Sequence, residues 1–242
     1  MDQNSFVMRF PAVEVANEVV PSTIPMVFSI KTKKLVKNLY FSCPFKGYKM
    51  VIEQNFEDIR PYYDHETFDV LQKMIKDPLF MKLANHLWPT MTYEEVVKKA
   101  AKVNTAMGFQ LEFMHPAIRT IVSRSSTGLT CSGFEKLDRN TAYLFVANHR
   151  DILLDSAILQ ILLVENGFQT SEITFGNNLM EAGFITDFGR INRMFTVQRE
   201  GTSRELYDIS KRLSSYIRHT ITDKKVSVWI AQRNGQIGRA HV

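Results

Sequence analysis

The 242-residue sequence predicts an α/β fold: a mostly parallel sheet flanked by helices, behind a helical N-terminal layer. Three observations carry this. Beyond residue 128, short β-branched and aromatic runs alternate with helical patterns, as expected of parallel strands joined by crossover helices. Residues 64–125 carry apolar positions at helical spacing. A composition of 45% apolar and 23% charged residues suits a globular chain with a sizeable core and excludes wholesale disorder, a collagen-like repeat and a disulfide scaffold.

Residues 1–49 show neither helical nor strand period. They are read as an extension, either a disordered basic arm or a segment foreign to the native protein, because Met50 opens a stretch that reads well as a true N-terminus. The helical N-terminal region, 50–127, holds three patterns. His65 to Trp88 places Phe68, Leu71, Met74 and Ile75 on one face, and Pro78 breaks it. Thr92-Tyr-Glu-Glu95 is a capping box opening a helix through about Met107. Phe109 to Val122 is a third pattern, with Pro116 inside it.

Residues 128–235 form the α/β region. Strands are expected at 129–132, 142–147, 172–175, 194–198 and 226–231. Helices are expected at 151–165, 178–184 and 203–220, the last with Leu206, Ile209, Leu213 and Ile217 on one face. Ligands of such sheets bind at the carboxyl ends of the strands.

The net charge of +5 is confined to one end. Residues 1–49 hold seven Lys/Arg against three Asp/Glu, leaving 23 against 22 for the rest. The globular part is neutral and carries no basic stripe with interleaved aromatics, so nucleic-acid binding is not expected. Cys43 and Cys131 form no metal-ligand pattern and are read as free thiols in a reducing compartment. No stretch approaches the ~20 apolar residues of a spanning helix, and the N-terminus lacks the order of a secretory signal. These features predict a cytoplasmic protein. His65, His86, His115, His219 and His241 show no metal spacing, so no metal site is expected.

The chemistry concentrates in Leu144-Phe-Val-Ala-Asn-His-Arg-Asp-Ile-Leu-Leu-Asp-Ser156. A buried strand ends at Asn148-His149 and a helix follows, with Asp151 suited to its N-cap. His149 thus falls at the sheet edge beside a helix N-terminus, where anions bind. Asp155, one turn into the helix, can lean back toward it. A histidine with a carboxylate partner is a general base with an orienting acid. A capping histidine among surface acids would have the same sequence.

Asn148-His149-Arg150 with an aspartate in the next helix resembles the first motif of the phospholipid/glycerol acyltransferases, in which a histidine precedes an aspartate by five positions. Gly189 with Met194-Phe-Thr-Val-Gln-Arg199 is similar to the second motif. Val228-Trp-Ile-Ala-Gln-Arg-Asn-Gly235 lies where the third belongs. The three occur in the family's order over residues 142–235, and residues 51–141 resemble the helical lead-in of a bacterial branch.

The resemblance implies transfer of a fatty acyl group from acyl-CoA or acyl carrier protein to a hydroxyl of glycerol phosphate or a lysophospholipid. It implies no resident cofactor and peripheral contact with the inner membrane face. It assigns His149 and Asp155 to catalysis, and Arg199, Arg233, Gly235, Asn148 and Arg150 to substrate binding. The departures are specific. The expected aspartate position holds Leu154, with Asp155 one later and Asp151 earlier, so either acid can be the partner. Arg233 and Asn234 replace the Pro and Glu of the third motif. The non-catalytic alternative is a lipid- or phosphate-binding module that retains the fold. Residues 236–242 read as an artefactual tail, which makes the α/β region incomplete past Gly235.

His149-Arg150-Asp151 and Asp187-Phe188-Gly189 also match tripeptides of protein kinases. A kinase needs a metal-binding Asn where Ser156 stands, and a glycine-rich loop. The 11 glycines form no such loop, so this reading is rejected.

Overall fold

The computed structural model describes residues 55–148, 151, 153–177 and 183–232, together with strand backbone within the first 29 residues. The helical layer opens with α1 (Asp64–Met74) and α2 (Pro78–Leu87). Pro78 breaks the pattern as expected and sits in the first turn of α2, where no N–H is missed. The Asp77 carboxylate caps that turn by accepting from Leu79 N–H at 2.8 Å. The Thr92 capping box opens α3 (Tyr93–Ala100), which ends short of Met107. Thr105 then starts a new turn, α4 (Ala106–Phe109), by accepting from Gly108 N–H.

The third pattern does not form one α-helix. A π-helical turn, Gln110–Met114, separates α4 from α5 (His115–Ser125). Pro116 is the reason: it offers no N–H, and its ring crowds the carbonyl of Glu112 four residues back. The widened turn lets Phe109 and Phe113 both point inward, 5.4 Å apart, with Phe113 edge-on to Trp88 at 5.2 Å.

The α/β region contains β5 (Thr130–Ser132), β6 (Leu144–Asn148), α6 (Leu154–Glu165), β7 (Glu172–Gly176), α7 (Phe184–Ile191), β8 (Met194–Val197), α8 (Ser203–Thr222) and β9 (Val228–Gln232). The expected helix at 178–184 falls mostly outside the described residues. Instead α7 begins at Phe184, after Gly183, whose φ of +92° suits glycine. Four strands form an all-parallel sheet in the order β6-β9-β7-β8. Strand residues alternate faces, as the pleat requires. Phe145, Ile173 and Trp229 pack with Leu159 and Leu162 of α6 on one face. Val228 and Phe195 pack with Tyr216 of α8 on the other. The helical layer has its own core, centred on Leu71, Phe80, Phe109 and Phe113 and joined by Phe184 and Ile191.

Polar contacts seal α7 to the helical layer. Asp187 accepts from the Tyr62 hydroxyl at 2.6 Å and from Lys73 Nζ at 2.8 Å. Burial, then that bond to Asp187, pushes the Tyr62 hydroxyl up to about 12. Arg190 donates to the Arg60 carbonyl. The kinase-like tripeptide is thus part of a packing seam.

The aperiodic extension differs from its reading in one respect. Its described segments are short strands: β1 (Ser5–Arg9), β2 (Glu14–Val15), β3 (Glu18–Val19) and β4 (Met26–Ser29). β1 pairs antiparallel with β4 and with β5. Such pairing runs through backbone hydrogen bonds along an edge, which side-chain periodicity does not report.

Candidate functional site

The carboxyl edge of the parallel sheet is built from the ends of β6, β9, β7 and β8. Asn148, the last residue of β6, lies in register with Gln232, the last of β9. Gly176 is in register with Val197 at the other side. His149 and Arg233 are therefore the residues that follow two neighbouring, aligned strand ends. His149, Arg150, Arg233 and Gly235 themselves lie outside the described residues.

The two candidate acids can both be described, and they hold each other's backbone. Asp151 Oδ1 accepts from the N–H groups of Leu153 at 2.9 Å and Leu154 at 2.7 Å, which fixes the start of α6. The helix begins at Leu154, three residues later than expected, because Asp151 acts as a cap ahead of it. Asp155 Oδ2 reaches back to accept from Asp151 N–H at 3.0 Å. This reciprocal pair resembles a capping box, with both carboxylates at the positive end of the helix. The two differ in burial: Asp151 is exposed, whereas Asp155 is only 5% exposed.

The arginines of the second motif separate. Arg199 is exposed just past β8, its N–H donating to Asn177 Oδ1 at 3.3 Å. It shares the sheet edge with Asn148 but lies at the opposite side, three strand spacings or about 14 Å across. Arg193, the residue before β8, lies away from this edge. It has a positive φ of 60° and donates from Nη1 to the Thr170 carbonyl and hydroxyl, both at 3.1 Å. It lies at the amino edge of β7, and burial pulls its pKa below the usual guanidinium value. Gly189 falls in the last turns of α7 and is buried.

A feature that the sequence reading missed lies on the other side of α6. A narrow, mostly apolar slot runs between α6, the π-turn with α5, and the amino ends of β7 and β8. Leu153, Ala157, Ile161 and Val164 form its α6 wall. At 100° per residue, Asp155 faces about 160° away from Ala157, so acid and slot occupy opposite sides of the helix. The signal was present: α6 is apolar nearly all round, and such a helix must be covered on both sides.

The other described histidines lie apart from this edge. His219 Nδ1 lies 2.8 Å from Asp223 Oδ2, His65 stacks on Tyr63, and His115, on the slot wall, places Nε2 3.0 Å from Glu165 Oε1. Among the described residues no group of His, Cys, Asp and Glu is placed to hold a metal ion. Among them, too, no helix is long and apolar enough to cross a membrane. Cys131 is a free thiol in β5; Cys43 lies outside the described residues.

The α/β fold with its parallel sheet, and a helix-capped acid at the carboxyl edge, define the structural class of this chain. Comparison with protein-family models, with curated proteins and with solved structures finds no match to it.

Proposed function

We propose that this protein is an acyltransferase that moves a fatty acyl group from a thioester carrier to a hydroxyl of glycerol phosphate or a lysophospholipid. One observation carries the reading. Asp155 is buried in the first turn of a helix that directly follows a parallel strand ending in Asn148, and its carboxylate is held in place by Asp151 N–H. A histidine at position 149 has an anchored acid within reach along the chain, at the edge where such sheets bind ligands.

In the reaction, His149 takes the proton of the acceptor hydroxyl as its oxygen attacks the thioester carbonyl. Asp155 supports the resulting imidazolium. The carbon–sulfur bond then breaks, and the proton passes from His149 to the departing sulfur. Arg199 holds the acceptor phosphate as a two-pronged donor, while Asn148, Arg150, Arg233 and Gly235 complete the binding edge. The acyl carrier, coenzyme A or acyl carrier protein, is a co-substrate. The lipid product implies peripheral contact with the inner membrane face.

The test is release of coenzyme A from palmitoyl-CoA in the presence of glycerol 3-phosphate or lysophosphatidic acid. His149→Ala should lower turnover by at least about 10². Full turnover in that variant overturns the mechanism. The spacing that puts Leu154 where an acid is expected, with Asn234 in the third motif, favours one second reading: a lipid- or phosphate-binding module without catalysis. Saturable acceptor binding with no turnover on any thioester would establish it.

A further inference from the structure

We propose that Ser227, anchored through Glu172, is a positioning residue: it sets the register of the central strand β9 and so aligns the residues that follow Gln232 with those that follow Asn148. The side chains of β9 do not choose that register by themselves. Val228 and Ile230 pack toward Phe195 and Tyr216, while Trp229 and Ala231 pack toward Ile173 and Leu159. Both faces are apolar, so a slip of one residue exchanges apolar for apolar. The ladder bonds of a parallel pair are evenly spaced and re-form after such a slip. Something outside the strand has to fix it.

Ser227, the residue before β9, bonds to both neighbouring strands. Its carbonyl accepts from the N–H of Glu172, the first residue of β7, at 2.8 Å. Its Oγ accepts from the N–H of Tyr143, the residue before β6, at 3.0 Å. Val228 N–H then donates to the Tyr143 carbonyl at 2.8 Å. Glu172 is itself held. It is 3% exposed, accepts from the Tyr216 hydroxyl at 2.6 Å, and pairs with Lys224 in the turn between α8 and β9. Val226 N–H donates to the Thr220 carbonyl in the same turn, and Lys225 there has a φ of +57°, which side-chain-bearing residues rarely adopt. The turn is thus tied to α8 and to β7 on either side of Lys225. A slip of one residue moves the chain ~3.3 Å and breaks both bonds of Ser227. Five residues on, about 17 Å away, it would replace Gln232 by Ala231 or Arg233 beside Asn148. That the aligned edge is catalytic rests on the acyltransferase reading; the register assignment does not.

The experiment uses the full chain. Ser227→Ala removes the acceptor of Tyr143 N–H, and Ser227→Thr keeps it. Val96→Ala, in the core of the helical layer, controls for lost stability alone. Amide hydrogen exchange, read by mass spectrometry, should quicken at residues 144–148 and 228–232 in Ser227→Ala, stay as in the parent in α1 to α3, and recover in Ser227→Thr. In coenzyme A release, Ser227→Ala should lower kcat/KM for glycerol 3-phosphate about 10- to 10²-fold, because ~1 Å of misplacement costs that order, while the KM for palmitoyl-CoA stays put. Val96→Ala should melt lower and turn over as the parent does. Circular dichroism checks each fold. If Ser227→Ala does not fold, Glu172→Gln, which keeps an acceptor for Tyr216 and loses the pair with Lys224, decides by the same two readouts. Unchanged exchange in β6 and β9 overturns the proposal, and so does a turnover no lower than that of Val96→Ala. If the parent releases no coenzyme A with any acceptor, the transferase reading fails, and the exchange pattern alone decides on Ser227.

Discussion

Asp151 and Asp155 are four residues apart, serve the same helix end, and differ in what a change of charge would do. Asp151 is an exposed cap on the N–H groups of Leu153 and Leu154. Asparagine caps about as well as aspartate, so Asp151→Asn should leave turnover and melting temperature nearly unchanged. Asp155→Asn keeps an oxygen for the Asp151 N–H but loses the charge that supports an imidazolium, so turnover should fall about 10²-fold with little change in melting. Steady-state coenzyme A release with a parallel thermal melt separates the two. The reverse outcome would reassign the acid to Asp151 and keep the reaction. Arg199→Lys keeps the charge but loses the fork, so the KM for the phosphorylated acceptor should rise while that for the thioester stays put. An unchanged acceptor KM would remove Arg199 from the binding edge.

Helix α6 ties the candidate edge to the core. Leu159 is fully buried against the sheet, so Leu159→Ala should cost about 2–5 kcal/mol, measured by urea unfolding. That helix was legible in the sequence as an apolar run behind a cap, and so were the succession of β6 to β9 along the chain, the Thr92 capping box and the break at Pro78. The rest was not legible for physical reasons. The π-turn at Gln110–Met114 is the answer of a packed helix to Pro116, where the alternative is a break; burial of Phe109 and Phe113 decides between them. Helix α7 shows too few residues for a period to emerge, and the partners of its Asp187 and Arg190, namely Tyr62, Lys73 and the Arg60 carbonyl, lie more than 100 residues away in the chain. The slot is a gap between three elements, and no single stretch of sequence encodes a gap. Of the candidate site, Asp151 and Asp155 were legible as a pair on one helix end; the distance between Arg199 and β6 was not, because strand order is set by pairing.

The described residues pack in three cores, with ion pairs at their margins. Arg60 binds Glu66 at 2.7 Å, and its hydrogen bond holds the Glu66 carboxyl below its ordinary value of 4.5. Arg212 does the same for Asp58, joining α8 to the segment before α1. A depressed carboxyl pKa contributes stability that is fully present above the unfolded value and is lost as pH falls through the folded one. The melting temperature should therefore drop below about pH 4.5, and Arg60→Met should flatten that drop while lowering the plateau. An identical pH profile in the variant would show that the pair carries no such linkage. The first 29 residues meet this body at β5, all three of whose residues are exposed, and β4 lies close to β6. Their deletion should leave the melting temperature almost unchanged, and a loss of several degrees would mean that they stabilise the body by about 1 kcal/mol or more. The sheet order has a consequence for how the chain is made. Of the four parallel strands β9 is the last to leave the ribosome, yet it lies between β6 and β7, with Leu144 beside Val228 and Ile173 beside Trp229. Until it arrives, the nascent chain holds two unpaired strand edges with an apolar face between them, and the domain has no centre to fold around. The sheet therefore closes only after Val228 has been made, and a chain stalled before it waits in a form that chaperones bind and proteases cut.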